Sequence, residues 1–220
     1  MLNRLTLPRI VPFAIYLGFL ALADLLARLG WSEHQLRLLY VVKIAAVVLA
    51  LLAYRRRYSE LRPPRLPWRQ AALALLAGLL VFLLWINLTA PWMMLGQPGG
   101  FDPRVDGAIV WPLALLRAAG ATLVVPLMEE LFWRSFLLRW LSQEDFLALN
   151  PAHAKITVFV GTVILFGIEH QLWLAGMVAG AVYGGLYMSS RNLWAPILAH
   201  TVTNGVLAAW ILATAQWTFW

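Results

Sequence analysis

Two adjacent carboxylates followed by an arginine form the first group of residues that could do chemistry. Glu129 and Glu130 precede Arg134 in a stretch without Gly or Pro, which predicts a helix. Residues four apart lie on one helix face, so Glu130 is within pairing reach of Arg134, whereas Glu129 is turned away from Glu130 by about 100°. The spacing therefore predicts that the arginine holds Glu130 and leaves Glu129 available as a general base.

Two histidine motifs supply further reactive groups. Phe166 and His170 are four residues apart, as are His200 and Asn204, so each pair shares one helix face. Phe166 could shield the His170 imidazole from water, and His200 and Asn204 could both donate hydrogen bonds to one oxygen. Together with Glu129 they contain a base, water-positioning groups and oxyanion donors. This is a hydrolytic set without a serine or cysteine nucleophile.

Each motif taken alone also has a purely structural interpretation. Two acids can mark the point where a helix leaves the membrane, a single histidine in an apolar run is usually a packing residue, and His and Asn often link membrane helices. Glu169, directly before His170, either perturbs that imidazole or faces elsewhere. The functional interpretation depends on all three motifs lying on separate apolar segments.

The elements that must position these residues are apolar helices. Of the 220 residues, 62% are hydrophobic and 12% are charged, against about 45–50% and about a quarter in soluble domains. A soluble globule of this size needs more polar surface. The composition therefore excludes a soluble enzyme, a disordered chain and a typical nucleic-acid binder. Cysteine is absent, so there is no disulfide framework and no cysteine metal site.

The predicted fold class is all-α: a polytopic transmembrane bundle of about seven spans, with six to eight as the range. A span needs about 20 largely apolar residues. The candidate segments are Pro8–Leu29, Leu36–Tyr54, Ala71–Leu88, Val110–Met128, Ile156–Ile168, Gln171–Met188 and Leu193–Trp217. The fourth is expected to continue as one helix past Glu129. The fifth is short and is expected to be tilted or broken, with Gly161 and Gly167 allowing the close packing that brings His170 to the depth of the other groups.

The basic residues predict the orientation. A short loop after the second span carries Arg55, Arg56, Arg57, Arg62, Arg65 and Arg69, opposed only by Glu60. By the positive-inside rule this loop and the N-terminus are cytoplasmic, in what is predicted to be a bacterial inner membrane. The Ala90–Ile109 connection then lies outside, and its glycines and prolines predict irregular structure. Residues 1–109 are interpreted as an N-terminal three-span region and residues 110–220 as the catalytic core.

A few other polar and aromatic residues have predicted places at the membrane surface. Asp24 and Lys43 are expected to form an ion pair or to reach the interface, and Arg117 is also expected there. Trp217 and Trp220 are expected in an interfacial aromatic belt.

The three motifs, in this order on three apolar segments, resemble those of the CPBP family of intramembrane proteases. That family includes the CAAX prenyl endopeptidases and the bacterial Abi and bacteriocin self-immunity proteins. Its signatures read here as Glu129-Glu130-x-x-x-Arg134, Phe166-x-x-x-His170 and His200-x-x-x-Asn204. The resemblance spans about Val110 to Trp217. The sequences of Glu129–Arg139 and of the Trp217–Trp220 ending resemble those of the branch found with bacterial exosortase/PEP-CTERM systems.

The resemblance implies a role for each catalytic residue. Glu129 would activate the attacking water, His170 would help to hold it, and His200 and Asn204 would stabilise the tetrahedral oxyanion. Glu130 would brace the site together with Arg134. The implied activity is that of an endopeptidase in the lipid bilayer, acting on a membrane-anchored or C-terminally processed protein substrate, with no nucleic-acid partner.

Two questions stay open at the level of the sequence. The residues Glu129, His170 and His200 could supply a zinc site with an open position, although there is no HExxH helix. The metal-free glutamate mechanism is slightly favoured. The alternatives to an enzyme are a non-catalytic binding or immunity protein on the same scaffold, and a small proton-coupled transporter, for which the internal symmetry is missing.

Overall fold

The computed structural model describes residues 4–62, 66–96 and 99–220, so Arg65 and Pro98 lie outside the described part. Within these residues, seven helices follow the seven predicted segments. They are α1 (Leu7–Arg28), α2 (Glu33–Tyr54), α3 (Trp68–Asn87), α4 (Trp111–Trp140), α5 (Ile156–Ile168), α6 (Trp173–Ser190) and α7 (Trp194–Thr214). The all-α polytopic fold class is confirmed. Five of these helices, α1 to α4 and α7, are long and apolar enough to cross a membrane, whereas α5 has only 13 residues.

The outward-facing surfaces of these helices are largely apolar, and several charged groups are buried inside the bundle. Leu49 of α2 and Leu76 of α3 are 67% and 65% exposed. By contrast, Arg9 and Glu130 are fully buried. A soluble protein has the opposite arrangement, because exposed apolar surface is unfavourable in water. This distribution of apolar and charged side chains therefore fits a protein that is surrounded by lipid chains.

The helix α4 runs for 30 residues through the centre of the bundle, and it continues past Glu129 as the absence of Gly and Pro after Pro126 predicts. It contains two π-helical stretches, Gly120–Val124 and Leu131–Leu137. The first ends just before Pro126, which has no backbone N–H to donate and disfavours regular α-helical pairing. The π stretches widen the helix around Glu129 and Glu130, the residues between them.

The other helices pack around α4 in a simple order. The pair α1 and α2 forms an antiparallel hairpin on one side, α3 packs along α7, and α5 packs along α6. Close approach of α3 and α7 needs Gly78, because a Cβ there would lie 2.9 Å from Val202 Cβ. The motif-bearing helices α4, α5 and α7 are thereby placed around one interior space.

The long connection between α3 and α4 contains regular structure that the sequence did not predict. Arg104–Val105 and Ala108–Ile109 form a small antiparallel hairpin, β1 and β2. Its turn residues Asp106 and Gly107 both have positive φ, 51° and 82°, which is the geometry of a type I′ turn. The expectation of a wholly irregular loop was therefore wrong.

The expectation of an Asp24–Lys43 ion pair was also wrong. Asp24 pairs with Arg28 at 2.9 Å on the exposed face of α1, and Lys43 is buried among tyrosines instead. Trp217 is only 8% exposed, because the turn it begins folds back over the bundle. Its backbone carbonyl accepts a hydrogen bond from the Phe101 N–H at 3.2 Å.

Candidate active site

One cavity of about 150 Å³ is lined by all four residues that the sequence predicts to be catalytic: Glu129, His170, His200 and Asn204. They come from α4, the turn after α5, and α7. The aromatic ring of Phe166 also faces this space. The arrangement brings a carboxylate, two imidazoles and an amide to a common wall, which is the condition that the hydrolytic interpretation requires.

The two neighbouring carboxylates have different surroundings. Glu130 is completely buried, and its Oε1 accepts a hydrogen bond from Arg134 Nη1 at 3.1 Å. Glu129 is 4% exposed and lines the cavity, and its Oε2 has no hydrogen-bond partner among the described residues. The Oε2 of Glu130 also lacks a partner there, but Glu130 does not line the cavity. Arg134 therefore holds Glu130, as the spacing predicts, while Glu129 keeps an oxygen available beside the cavity.

Glu130 has a second partner that the sequence did not indicate. Its Oε1 lies 3.0 Å from His200 Nδ1. An ionised carboxylate only accepts hydrogen bonds, so Nδ1 carries the proton and Nε2 of the neutral ring presents a lone pair. If the ring is protonated at Nε2 as well, Glu130 is its counter-ion. The pair can therefore stabilise either charge state of His200.

The second imidazole is oriented by the backbone of its own motif. His170 Nδ1 lies 2.6 Å from the carbonyl oxygen of Phe166, and because a carbonyl only accepts, Nδ1 is the donor. The Phe166 ring lies 4.7 Å from the imidazole and 4.3 Å from the Arg134 guanidinium. Trp85 of α3 closes the other side, edge to face at 5.4 Å. His170 is thus fixed with Nε2 free.

Close packing of α5 on α6 places His170 at the cavity. A Cβ on Gly167 would meet Met177 Cγ and would lie 2.8 Å from the Trp173 carbonyl oxygen. A Cβ built on Gly176, across the interface, would lie 3.1 Å from the Gly167 Cα. The predicted role of Gly167 is supported. Gly161 has no such role, since nothing lies within 4 Å of a Cβ built there.

Asn204 is held by a carbonyl group that the π-helical stretch of α4 leaves free. The Val125 N–H bonds the Gly120 carbonyl, five residues back. In that register Pro126 would pair with Ala121, but proline has no N–H. Asn204 Nδ2 donates to the Ala121 oxygen at 2.9 Å. One amide N–H is used in this way and the second remains for a ligand.

Residues that the motifs did not single out also support the imidazoles. The Tyr183 ring of α6 stacks on His200, with centroids 4.8 Å apart and planes at 21°. Its hydroxyl donates to Thr203 Oγ1 at 2.7 Å, and Thr203 donates to the Gly78 carbonyl oxygen at 2.8 Å. The sequence signal for this role was a polar aromatic residue, Tyr183, within a run of small residues. Glu169, in contrast, accepts from Trp133 Nε1 at 3.1 Å and is not part of the cavity wall.

Zinc binding by Glu129, His170 and His200 stays a prediction. Across residues 4–62, 66–96 and 99–220, no three His, Asp or Glu side chains are grouped closely enough to hold a metal ion.

Fold and cavity together define a class: a polytopic helical membrane protein with a buried site of one free carboxylate, two oriented imidazoles and an amide. Residues 111–206, which carry all three motifs, match the family model of Rce1-like type II CAAX prenyl endopeptidases. The resemblance predicted from the motifs is confirmed over this segment. No curated protein and no solved structure matches the chain. Protease activity on membrane-associated proteins is what the family implies.

Proposed function

We propose that the protein is an intramembrane endopeptidase in which a water molecule, activated by Glu129, hydrolyses a peptide bond of a membrane-associated protein. The observation that carries the proposal is the free oxygen of Glu129 beside a cavity that also holds two imidazoles and an amide. The family match independently favours an endopeptidase. No nucleophilic Ser or Cys is needed, and no acyl-enzyme forms.

In the proposed reaction, Glu129 removes a proton from water while the water oxygen bonds to the substrate carbonyl carbon. His170 Nε2 accepts a hydrogen bond from the same water and orients it. The carbonyl oxygen becomes an oxyanion, stabilised by the second N–H of Asn204 and by His200 protonated at Nε2, with Glu130 as counter-ion. When the C–N bond breaks, Glu129 returns the proton to the leaving amine.

The substrate class follows from where the cavity lies. A bundle with an apolar outer surface admits a chain that is itself anchored in or at the membrane. We propose that the substrate is a membrane-anchored or C-terminally processed protein. The arginines of the α2–α3 loop favour an orientation with the N-terminus on the cytoplasmic side. Assignment to the exosortase-associated branch and to a bacterial inner membrane remains a prediction.

Replacing Glu129 by glutamine tests the role of this carboxylate. The change keeps the shape of the side chain but removes the base, so kcat should fall by about 10²–10⁴-fold. The measurement is cleavage of a fluorogenic S-farnesylated CAAX-type peptide by purified protein in nanodiscs, with mass spectrometry to locate the cut.

The matched control is Asp24→Asn, which alters a carboxylate on the exposed face of α1. This variant should cleave at the rate of the unaltered protein. Equal cleavage by the Glu129→Gln variant would contradict the glutamate mechanism. If the unaltered protein bound the peptide without cutting it, the non-catalytic scaffold hypothesis would replace the proposal.

A further inference from the structure

A buried lysine without an acidic partner lies at the centre of α2. Lys43 is 6% exposed, and its Nζ is 4.1 Å from the ring centroid of Tyr16 and 4.9 Å from that of Tyr40. Within the described residues no carboxylate is in ion-pair contact with it. An unpaired cation at this depth is costly, so its retention indicates a function.

Arg117 of α4 also contacts the Tyr40 ring and also lacks an acidic partner. The Arg117 guanidinium carbon is 4.7 Å from the Tyr40 ring centroid and 5.5 Å from that of Phe101. Its Nε is buried without a hydrogen-bond partner. In the part of the chain that the structure describes, no carboxylate forms an ion pair with it either. Two cations therefore contact one aromatic ring, and aromatic rings stabilise but do not neutralise them.

These two cations stand where the catalytic cavity meets a second cavity. Arg117 lines both, and Lys43 lines the second, which has a volume of about 260 Å³. The remaining walls of the second cavity on α1 and α2 are mostly apolar: Phe19, Leu20, Ala23, Leu36 and Leu39. The space thus combines an apolar wall with a cationic side that borders the proposed active site.

We propose that Lys43 and Arg117 bind the terminal α-carboxylate of the substrate and that the second cavity takes the apolar side chain of its last residue. The inference rests on the proposed endopeptidase function and names the part of the substrate that its site recognises. Arg117 can present a guanidinium N–H pair to a carboxylate, and Lys43 supplies a second charge. Binding would supply the anionic partner that both cations lack.

The depth of Lys43 favours a peptide carboxylate over a lipid phosphate. Lys43 is ten residues from the start of α2, or about 15 Å at about 1.5 Å per residue. Phosphate groups of lipids lie at the membrane surface, outside a hydrocarbon core about 30 Å thick. A peptide that enters the catalytic cavity can carry its terminal carboxylate to this depth.

The separation along α4 sets the scale of the fragment that is released. Arg117 precedes Glu129 by twelve residues, which is a rise of about 18 Å. An extended peptide covers about 3.3 Å per residue. The site therefore selects a bond within roughly five residues of the chain end, and the leaving product is a short peptide with a free carboxylate.

The test compares two S-farnesylated CAAX-type peptides that differ only at the chain end, one with a free carboxylate and one with a carboxamide. Binding is measured by fluorescence anisotropy to the Glu129→Gln variant in phosphatidylcholine nanodiscs, so that no peptide is consumed. The free acid should bind at least about tenfold more tightly than the amide, which corresponds to about 1.4 kcal/mol of binding free energy. Adding Arg117→Gln or Lys43→Met should reduce this preference to threefold or less.

Two control variants guard against a general loss of structure. Arg37→Gln removes a cation of α2 that is paired with Glu33 and should keep the full preference. Arg117→Lys keeps the charge and should retain part of it. The proposal is overturned if acid and amide bind alike, if neither binds, or if Arg37→Gln abolishes the preference as Arg117→Gln does. It is also overturned if phosphatidylglycerol in the nanodisc removes the preference, because the site would then belong to a lipid phosphate.

The same peptides separate this inference from the proposed function. If the unaltered protein cleaves acid and amide with equal kcat/KM, the endopeptidase proposal stands and the carboxylate site fails. If the acid binds preferentially but neither peptide is cleaved, the anion site stands and the endopeptidase proposal fails.

Discussion

Glu130 joins two of the three motifs through a single oxygen atom. Its Oε1 contacts both Arg134 and His200, and it has no exposed surface. An uncompensated buried charge is much more costly than a paired one. The residue is therefore expected to contribute to folding as well as to the site, whereas Glu129, which forms no ion pair with any described residue, is expected to contribute to chemistry alone.

This difference predicts opposite stability effects for two glutamine substitutions. Glu130→Gln removes the charge opposite Arg134 and should lower the free energy of unfolding by up to about 3–5 kcal/mol. Glu129→Gln removes an unpaired buried carboxylate and should leave stability unchanged or raised. Thermal unfolding of both variants in detergent checks the order. A greater loss of stability in the Glu129 variant would contradict this assignment of partners.

At the scale of elements, the site depends on how closely α5 and α6 approach. His170 follows a helix of only 13 residues, and its position is set by the contact between Gly167 and Gly176. A side chain larger than hydrogen at this contact must push the two helices apart, because the nearest atoms include backbone atoms, which cannot rotate away. His170 would move with the end of α5.

Gly167→Ala should therefore destabilise the protein by about 1–3 kcal/mol and reduce cleavage. Gly161→Ala on the same helix is the matched control, since its new methyl group meets nothing within 4 Å. That variant should be neutral or slightly stabilising, because alanine favours helices more than glycine does. Thermal unfolding and peptide cleavage report both effects, and equal behaviour of the two variants would refute the packing argument.

At the scale of the whole molecule, Glu60, in the connection between α2 and α3, links α1 to α4. It pairs with Arg9 of α1 at 2.6 Å and accepts a hydrogen bond from the hydroxyl of Ser135 in α4. Arg139 lies 3.9 Å from the same carboxylate. Burial alone raises the pKa of Glu60, but its hydrogen bonds and the charge of Arg9 outweigh burial and hold this pKa below its usual value.

The lowered pKa of Glu60 predicts acid sensitivity with a definite sign. The ionised carboxylate stabilises the fold at pH above the ordinary value of 4.5. That contribution is lost as the pH falls from there through the lower pKa of the folded protein. Thermal unfolding in detergent should show a steeper acid decline for the unaltered protein than for Glu60→Gln.

Glu33→Gln is the control for this pH dependence, because Glu33 pairs with Arg37 at the exposed start of α2. It should keep the acid decline of the unaltered protein. Identical pH profiles for the unaltered protein and the Glu60→Gln variant would show that the ionisation of Glu60 does not stabilise the fold.

Local rules were sufficient for the helices and for which residues share a helix face. Long apolar runs determined seven helices, because only internally hydrogen-bonded segments are stable in lipid. Helical spacing of three to four residues also determined the Glu130–Arg134 pair and the shared face of His200 and Asn204. These are properties of single segments, so the amino-acid sequence alone contains them.

Tertiary packing decided what no segment could specify. The contact of Glu130 with His200 spans 70 residues, and the meeting of Lys43 and Arg117 around Tyr40 joins α2 to α4. Lys43 could not be separated from a surface ion pair by sequence, because burial depends on which helix covers it. The fold alone sets such distances, since the close packing of several helices places side chains that are remote in the chain against one cavity.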